Sequence, residues 1–166
     1  MPTKRAMNRA ERDRRQGKSP STQAGEFVRE EIDKIRGGKH GARSTKQAIA
    51  IGLSEARRAG VDLPPPSKGK AKARTRKSAE YAYEAGQHKR KTKTRPRAAR
   101  AVSKALKREP QDTVSHAAMS RQGKQAAAHR SAASRSAAGR KAARTKGAAG
   151  RSAAERQAAR TRRPRS

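Results

Sequence analysis

The chain has 166 residues, of which 45 are Lys or Arg and 13 are Asp or Glu, giving a formal net charge of +32. Hydrophobic residues make up 31%, with one Phe, two Tyr and neither Trp nor Cys, which excludes disulfide scaffolds, Cys-ligated zinc sites and thiol catalysis. Low hydrophobicity with high net charge is the signature of disorder or of folding on a partner, because few large side chains are present to offset chain entropy.

A pI near 11.9 attracts polyanions such as nucleic acid. No apolar run approaches the ~20 residues of a membrane span. The basic start Met1-Pro2-Thr3-Lys4-Arg5 has no apolar stretch behind it, so a cytoplasmic location is expected.

In chain order, residues 1–18 read as a basic N-terminal arm. Residues 19–63 read as a helical-hairpin head. Its first helix spans about Ser21 to Arg36, with Ala24, Val28, Ile32 and Ile35 on one stripe and Phe27 beside it. Gly37-Gly38 ends it. The second helix starts at Ser44, where Gln47 three positions on fits a capping box. Ala48, Ile49, Gly52, Leu53 and Ala56 form its apolar face, and Gly60 stops it. Nine large apolar side chains are marginal for ~40 ordered residues. Ile51 points away from that face, so a homodimer through the head is an open possibility.

Leu63-Pro64-Pro65-Pro66 opens a Pro/Lys-rich linker, 64–77, since a proline run favours extended backbone and cannot continue a helix. Residues 1–63 hold 15 basic and 8 acidic residues, a net of +7; residues 64–166 hold 30 and 5, a net of +25. Residues 78–166 therefore read as a polycationic, Ala-rich tail. Short helices are expected at Ser78–Gln87, Ala98–Glu109 and Val114–Ala128, with Pro110 as a break. Ala-Ala pairs then recur about every five residues from 127 to 158, and Arg130, Arg135, Arg140, Arg151 and Arg156 keep the same beat. Five residues advance ~140° beyond a full turn, so these arginines wind around a helix and build no seam. The expected fold class is mainly α: a small helical hairpin followed by a largely disordered or conditionally helical tail.

Lys and Arg interleaved with Ala, Ser and Gly suit phosphate neutralisation, with little to distinguish bases. The candidate nucleic-acid residues in the tail are Lys89, Arg90, Lys91, Lys93, Arg130, Arg135, Arg140, Lys141, Arg144, Arg151 and Arg156. In the head, Lys39, Arg43 and Lys46 surround the start of the second helix, where free backbone N–H groups suit a phosphate. The Walker order is absent. Tyr81 and Tyr83 could stack on bases, although two residues apart on a helix they point in different directions. His40, His88, His116 and His129 lack metal-ligand spacing and read as solvated. Glu26, Glu30, Glu31 and Asp33 read as an exposed face for ion pairing or partner docking. No catalytic residue, metal or cofactor is indicated.

The stretches Ser21–Ile32, Gly38–Ser54 and Ala56–Val61, closing on Leu63-Pro64-Pro65-Pro66, resemble a bacterial family of unknown function over about residues 18–66. Its members are often labelled DNA-binding or plasmid stabilisation proteins. Met119–Lys124 followed by Ala/Arg-rich sequence resembles a tail element of such proteins, and the tail is similar to linker-histone tails in composition. The resemblance implies a bacterial, chromosome- or plasmid-associated role without catalysis. The expected function is non-enzymatic, sequence-independent binding of duplex DNA at the nucleoid, with no membrane partner. The alternatives are an RNA-binding or ribosome-associated protein and a partner-recruiting module in plasmid maintenance.

Overall fold

The computed structural model describes residues 2–89 and 95–144. Every regular element among them is helical. They are α1 (Lys4–Arg15), α2 (Pro20–Arg36), α3 (Thr45–Arg58), α4 (Ala73–Gly86), α5 (Pro96–Lys107), a 3-10 turn (Asp112–Val114) and α6 (His116–Ala128). A further helix covers 132–144. The chain divides into two compact units, residues 1–122 and 123–166.

In the first unit, α2 and α3 form the expected hairpin. Ser19 precedes α2, with Pro20 in its first turn, and Gly38 follows its last residues at φ +73°, a conformation that glycine adopts without a Cβ clash. Ser44 Oγ accepts from Gln47 N–H at 3.2 Å, and Gln47 Oε1 accepts from Arg43 N–H at 2.8 Å. The box thus closes one residue ahead of the cap. The helices cross at Gly52, where a Cβ would lie 2.6 Å from Val28 Cα. Glycine leaves no side chain between the two backbones there.

The buried stripe of α2 is Gln23, Ala24, Phe27, Glu31 and Ile35, while Val28 and Ile32 are half-buried. The stripe is rotated from the expected one because α2 is flanked on two sides, by α3 and by α1. Residues 1–18 are accordingly not an arm. Thr3 Oγ1 accepts from Ala6 N–H at 3.2 Å and starts α1. Ala6 and Ala10, one turn apart, are buried with Ala24, Phe27, Ala56 and Val61. Arg9 of α1 pairs with both Glu26 and Glu30 of α2. A helix needs only alanine on its inner face when its neighbour lies close.

The segment 64–77 is not a plain linker either, since α4 begins at Ala73. Arg57, buried near the end of α3, donates to the carbonyls of Leu63 at 3.0 Å and Pro64 at 3.3 Å. Those bonds fix the proline run, and α4 then returns against α3 with Ala79, Ala82 and Gly86 buried. A Cβ on Gly86 would meet Arg57 O at 1.8 Å. The face of α3 carrying Ala50, Leu53 and Ser54 shares a cleft with Pro66, Ser78 and Ala79. The same chain therefore supplies cover for the hairpin, and Ile51 is half-buried.

A second apolar cluster joins Ile35, Ala42 and Ala48 to Val114, with Ile32 and Met119 packed on it. The expected tail, 78–166, thus donates core residues to the head, and the structured unit extends to 122. In the second unit no residue from 123 to 144 is buried, so its described helices stand on backbone bonds, alanine propensity and exposed side-chain bonds such as those of Arg130 and Arg135.

Candidate nucleic-acid interface

The loop between α2 and α3 carries three of the expected cations. Lys39, Arg43 and Lys46 are all exposed, and none of the ion pairs between described residues draws on them. The backbone of this loop is different from the expectation. Gly38 N–H bonds to Ile35 O at 3.0 Å and Lys39 N–H to Lys34 O at 3.0 Å. Gly41 N–H bonds to Leu106 O at 2.8 Å, and Ala42 N–H to Pro110 O at 2.9 Å. Arg43 N–H is held by Gln47. These loop amides are engaged within the chain, so ahead of α3 an anion would be met by side chains, and the backbone donors left to the expected site are those of the first turn of α3.

The partner of that loop is the stretch following α5. Thr113 Oγ1 donates to Ala42 O at 2.8 Å, Thr45 Oγ1 donates to Thr113 O at 2.6 Å, and Arg36 Nε donates to Val114 O at 3.0 Å. A Cβ on Gly41 would fall 1.8 Å from Glu109 O. The glycine is required by this close approach of backbone to backbone. The loop and the C-terminal end of α5 are therefore one assembly, a link of some 65 residues that local pattern does not reveal.

Most acids of the head face inward or toward their own helix, while Asp33 is exposed as expected. Glu11 pairs with Arg14 and Arg15, Asp13 with Lys18, Glu26 and Glu30 with Arg9, and Glu31 and Glu55 with Lys34. Six of the eight acids in residues 1–63 are thereby matched to cations. Ion pairing is thus the role of Glu26 and Glu30. Glu31 departs from the expected exposed face: it is 1% accessible.

Glu31 sits in a buried charge cluster with Lys34, Glu55 and His40. Its Oε1 is buried without a hydrogen bond, 3.5 Å from His40 Nε2. His40 Nδ1 lies 3.1 Å from Gly41 O, and a carbonyl can only accept. With Nδ1 donating, a neutral ring presents its Nε2 lone pair to Glu31 Oε1, so a proton belongs between those two atoms. His40 is half-buried and is not the solvated residue expected from its polar neighbours. Burial holds the Glu31 carboxyl above its ordinary range, with Glu55 adding to this and His40 and Lys34 opposing it.

A pKa raised in the folded state contributes stability that is complete below the ordinary value and is lost as pH rises through the raised one. The melting temperature is therefore expected to fall as pH rises above the ordinary 4.5, with up to about 1.4 kcal/mol per pH unit for one proton. Glu11, held down to about 2 by Arg14 and Arg15, acts only below 4.5 and in the opposite sense. Thermal melts of the wild type and Glu31→Gln between pH 4.5 and 7 check this. The variant should have the shallower dependence, and equal slopes would contradict the shared proton.

Of the other expected residues, Lys89 follows α4 and is exposed. In the second unit Arg130, Arg135, Arg140, Lys141 and Arg144 are exposed. Arg130 also donates to Ser134 Oγ and O at 3.3 and 3.2 Å. Arg90, Lys91, Lys93, Arg151 and Arg156 lie outside the described residues. Tyr83 is committed elsewhere: its hydroxyl donates to Asp62 Oδ1 at 2.6 Å and ties α4 to the end of α3. Tyr81 is exposed. Sequence reasoning passed over Arg97, Arg100, Lys104 and Lys107 on α5. Their 3-4-3 spacing, with no acid between residues 95 and 108, is the signal that could have found them.

Residues 3–68 match a family of unknown function, DUF6496. The match begins at the N-cap of α1 and ends just past the proline run, so it takes in α1, α2 and α3 together. No curated protein and no solved structure matches the chain. Among the described residues no helix is long and apolar enough to cross a membrane, and no group of three or more His, Asp or Glu could hold a metal ion.

Proposed function

We propose that this chain is a non-enzymatic, largely sequence-independent binder of duplex DNA, a histone-like protein of the nucleoid that works by neutralising phosphates. The observation that carries the reading is the separation of charge. The acids of residues 1–63 are largely matched inside the head, whereas Lys39, Arg43, Lys46 and nearly all the described cations beyond residue 64 are exposed. A surface of that kind has no internal counter-charge, and polyanions release condensed counterions when they supply it.

The tail contributes charge more than shape. Arg135, Arg140, Lys141 and Arg144 lie on an exposed helix and wind around it, with Arg130 in the bend before it, so they can meet phosphates from several sides. Few side chains here could read base edges. Gel-shift titration of the full chain on duplex DNA at several salt concentrations tests the proposal. The logarithm of affinity should fall linearly with the logarithm of salt, with a slope of about −0.9 per phosphate over ~6–10 contacts. A flat response would remove the mechanism. Preferential competition by structured RNA over duplex DNA would move the target to RNA.

A further inference from the structure

We propose that α5 is a second phosphate-contacting surface, borne by the first compact unit and separate from the cations of residues 123–166. Arg97, Arg100, Lys104 and Lys107 follow one another at helical spacing and share one stripe. The stripe is about 15 Å long at 1.5 Å per residue. Duplex DNA carries one negative charge per ~1.7 Å of axis with both strands counted, so that length of duplex holds roughly nine phosphates, more than enough for four cations. No acid lies between residues 95 and 108 to compensate the stripe.

The helix gives up little of its surface to the core. No residue of α5 is buried. It is held at its C-terminal end, where Leu106 O accepts from Gly41 N–H. That bond seats the end of α5 on the same loop that presents Lys39 and Arg43. A stripe of uncompensated cations, rigidly attached at one end and otherwise uncovered, fits a polyanion by charge complementarity.

The opposite face of α5 argues against a lipid surface. It carries Ala98, Val102, Ala105 and Leu106, and interfacial helices use several Trp, Phe and Leu side chains to bury area in the acyl region. Val102 is 59% accessible, and Leu106, one turn on along the same face, is half-buried. Two alanines, one free valine and a leucine already partly covered offer little to insert.

This inference rests on the phosphate-neutralisation reading above, and the test separates the two. The full-length variant Arg97→Gln/Arg100→Gln/Lys104→Gln/Lys107→Gln keeps helix formers at every position. A control with the same charge change carries Lys4→Gln/Arg5→Gln/Arg12→Gln/Arg58→Gln, all at exposed sites. Binding to one duplex is titrated across salt for both and for the wild type, with circular dichroism confirming unchanged melts. The α5 variant should lose about 3–4 from the magnitude of the salt slope, since each contact contributes ~0.9, and the control should lose less than about one.

Equal losses in the two variants, or none in the α5 variant, would overturn the α5 assignment and leave the DNA reading standing. A flat wild-type response would overturn both. The α5 variant and wild type are also compared on phosphatidylserine-containing vesicles. Loss of vesicle binding with an unchanged duplex slope would make α5 a lipid surface instead.

Discussion

Phe27→Ala is expected to destabilise the head by about 3–5 kcal/mol, the cost of emptying a fully buried aromatic position, and to abolish a cooperative transition in urea. Phe27 is 1% accessible and is the sole aromatic in a cluster otherwise made of Ala6, Ala10, Ala24, Ala56 and Val61. Alanines cannot expand to fill the space it leaves, and the helices that meet around it are already close. Small domains have total stabilities near the low end of 5–15 kcal/mol, so the loss is comparable with everything available. Urea unfolding followed by circular dichroism at 222 nm checks it. A midpoint like that of the wild type would mean the core lies elsewhere.

Where the chain can be cut without unfolding is the second large effect. Ending it after Pro66 removes α4, which lies against α3, and removes Val114 and Met119 from the cluster around Ile35, Ala42 and Ala48. Burial of one such aliphatic side chain contributes roughly 1.5–3 kcal/mol. The bonds from Gly41, Ala42, Thr45 and Arg36 to residues 106–114 go with it. The fragment 1–66 is therefore expected to melt without a sigmoidal transition. The fragment 1–122 keeps the whole first unit and should melt within a few degrees of the full chain. If 1–66 melts as sharply as 1–122, the hairpin suffices alone and the contacts from 73–119 are incidental.

The hairpin was legible because its signals are local. Ser44 with Gln47, Gly37-Gly38, Gly60 and the period of apolar residues each act within one or two turns, and the structure uses all of them. Glu31 was misplaced for a physical reason. A charged residue next to a periodic stripe reads as solvated, and only Lys34 and His40, brought beside it by the fold, make its burial tolerable. Helix α1 was missed because counting large aliphatics discounts alanine. Ala6 and Ala10 are buried precisely spaced by one turn, in a core where eight of the twelve buried hydrophobic residues are alanine. Such a core depends on close approach of backbones, which Gly52, Gly86 and Gly41 permit.

The cations were legible as a total and less so as an arrangement. Composition shows that most of the positive charge lies beyond residue 64. It does not show that the loop of Lys39 and Arg43 is tied to the end of α5, because the tie runs through backbone atoms of Gly41, Ala42, Leu106 and Pro110. Backbone partners leave almost no mark on residue type, apart from the glycine at 41.

The most direct measurement compares binding of the full chain to a DNA duplex and to a duplex of identical sequence and length built on an uncharged backbone. If the protein reads phosphate charge, affinity for the first should be strong at low salt and affinity for the second should be lost at every salt concentration. Comparable binding to both would contradict phosphate neutralisation and place recognition in the bases or the groove.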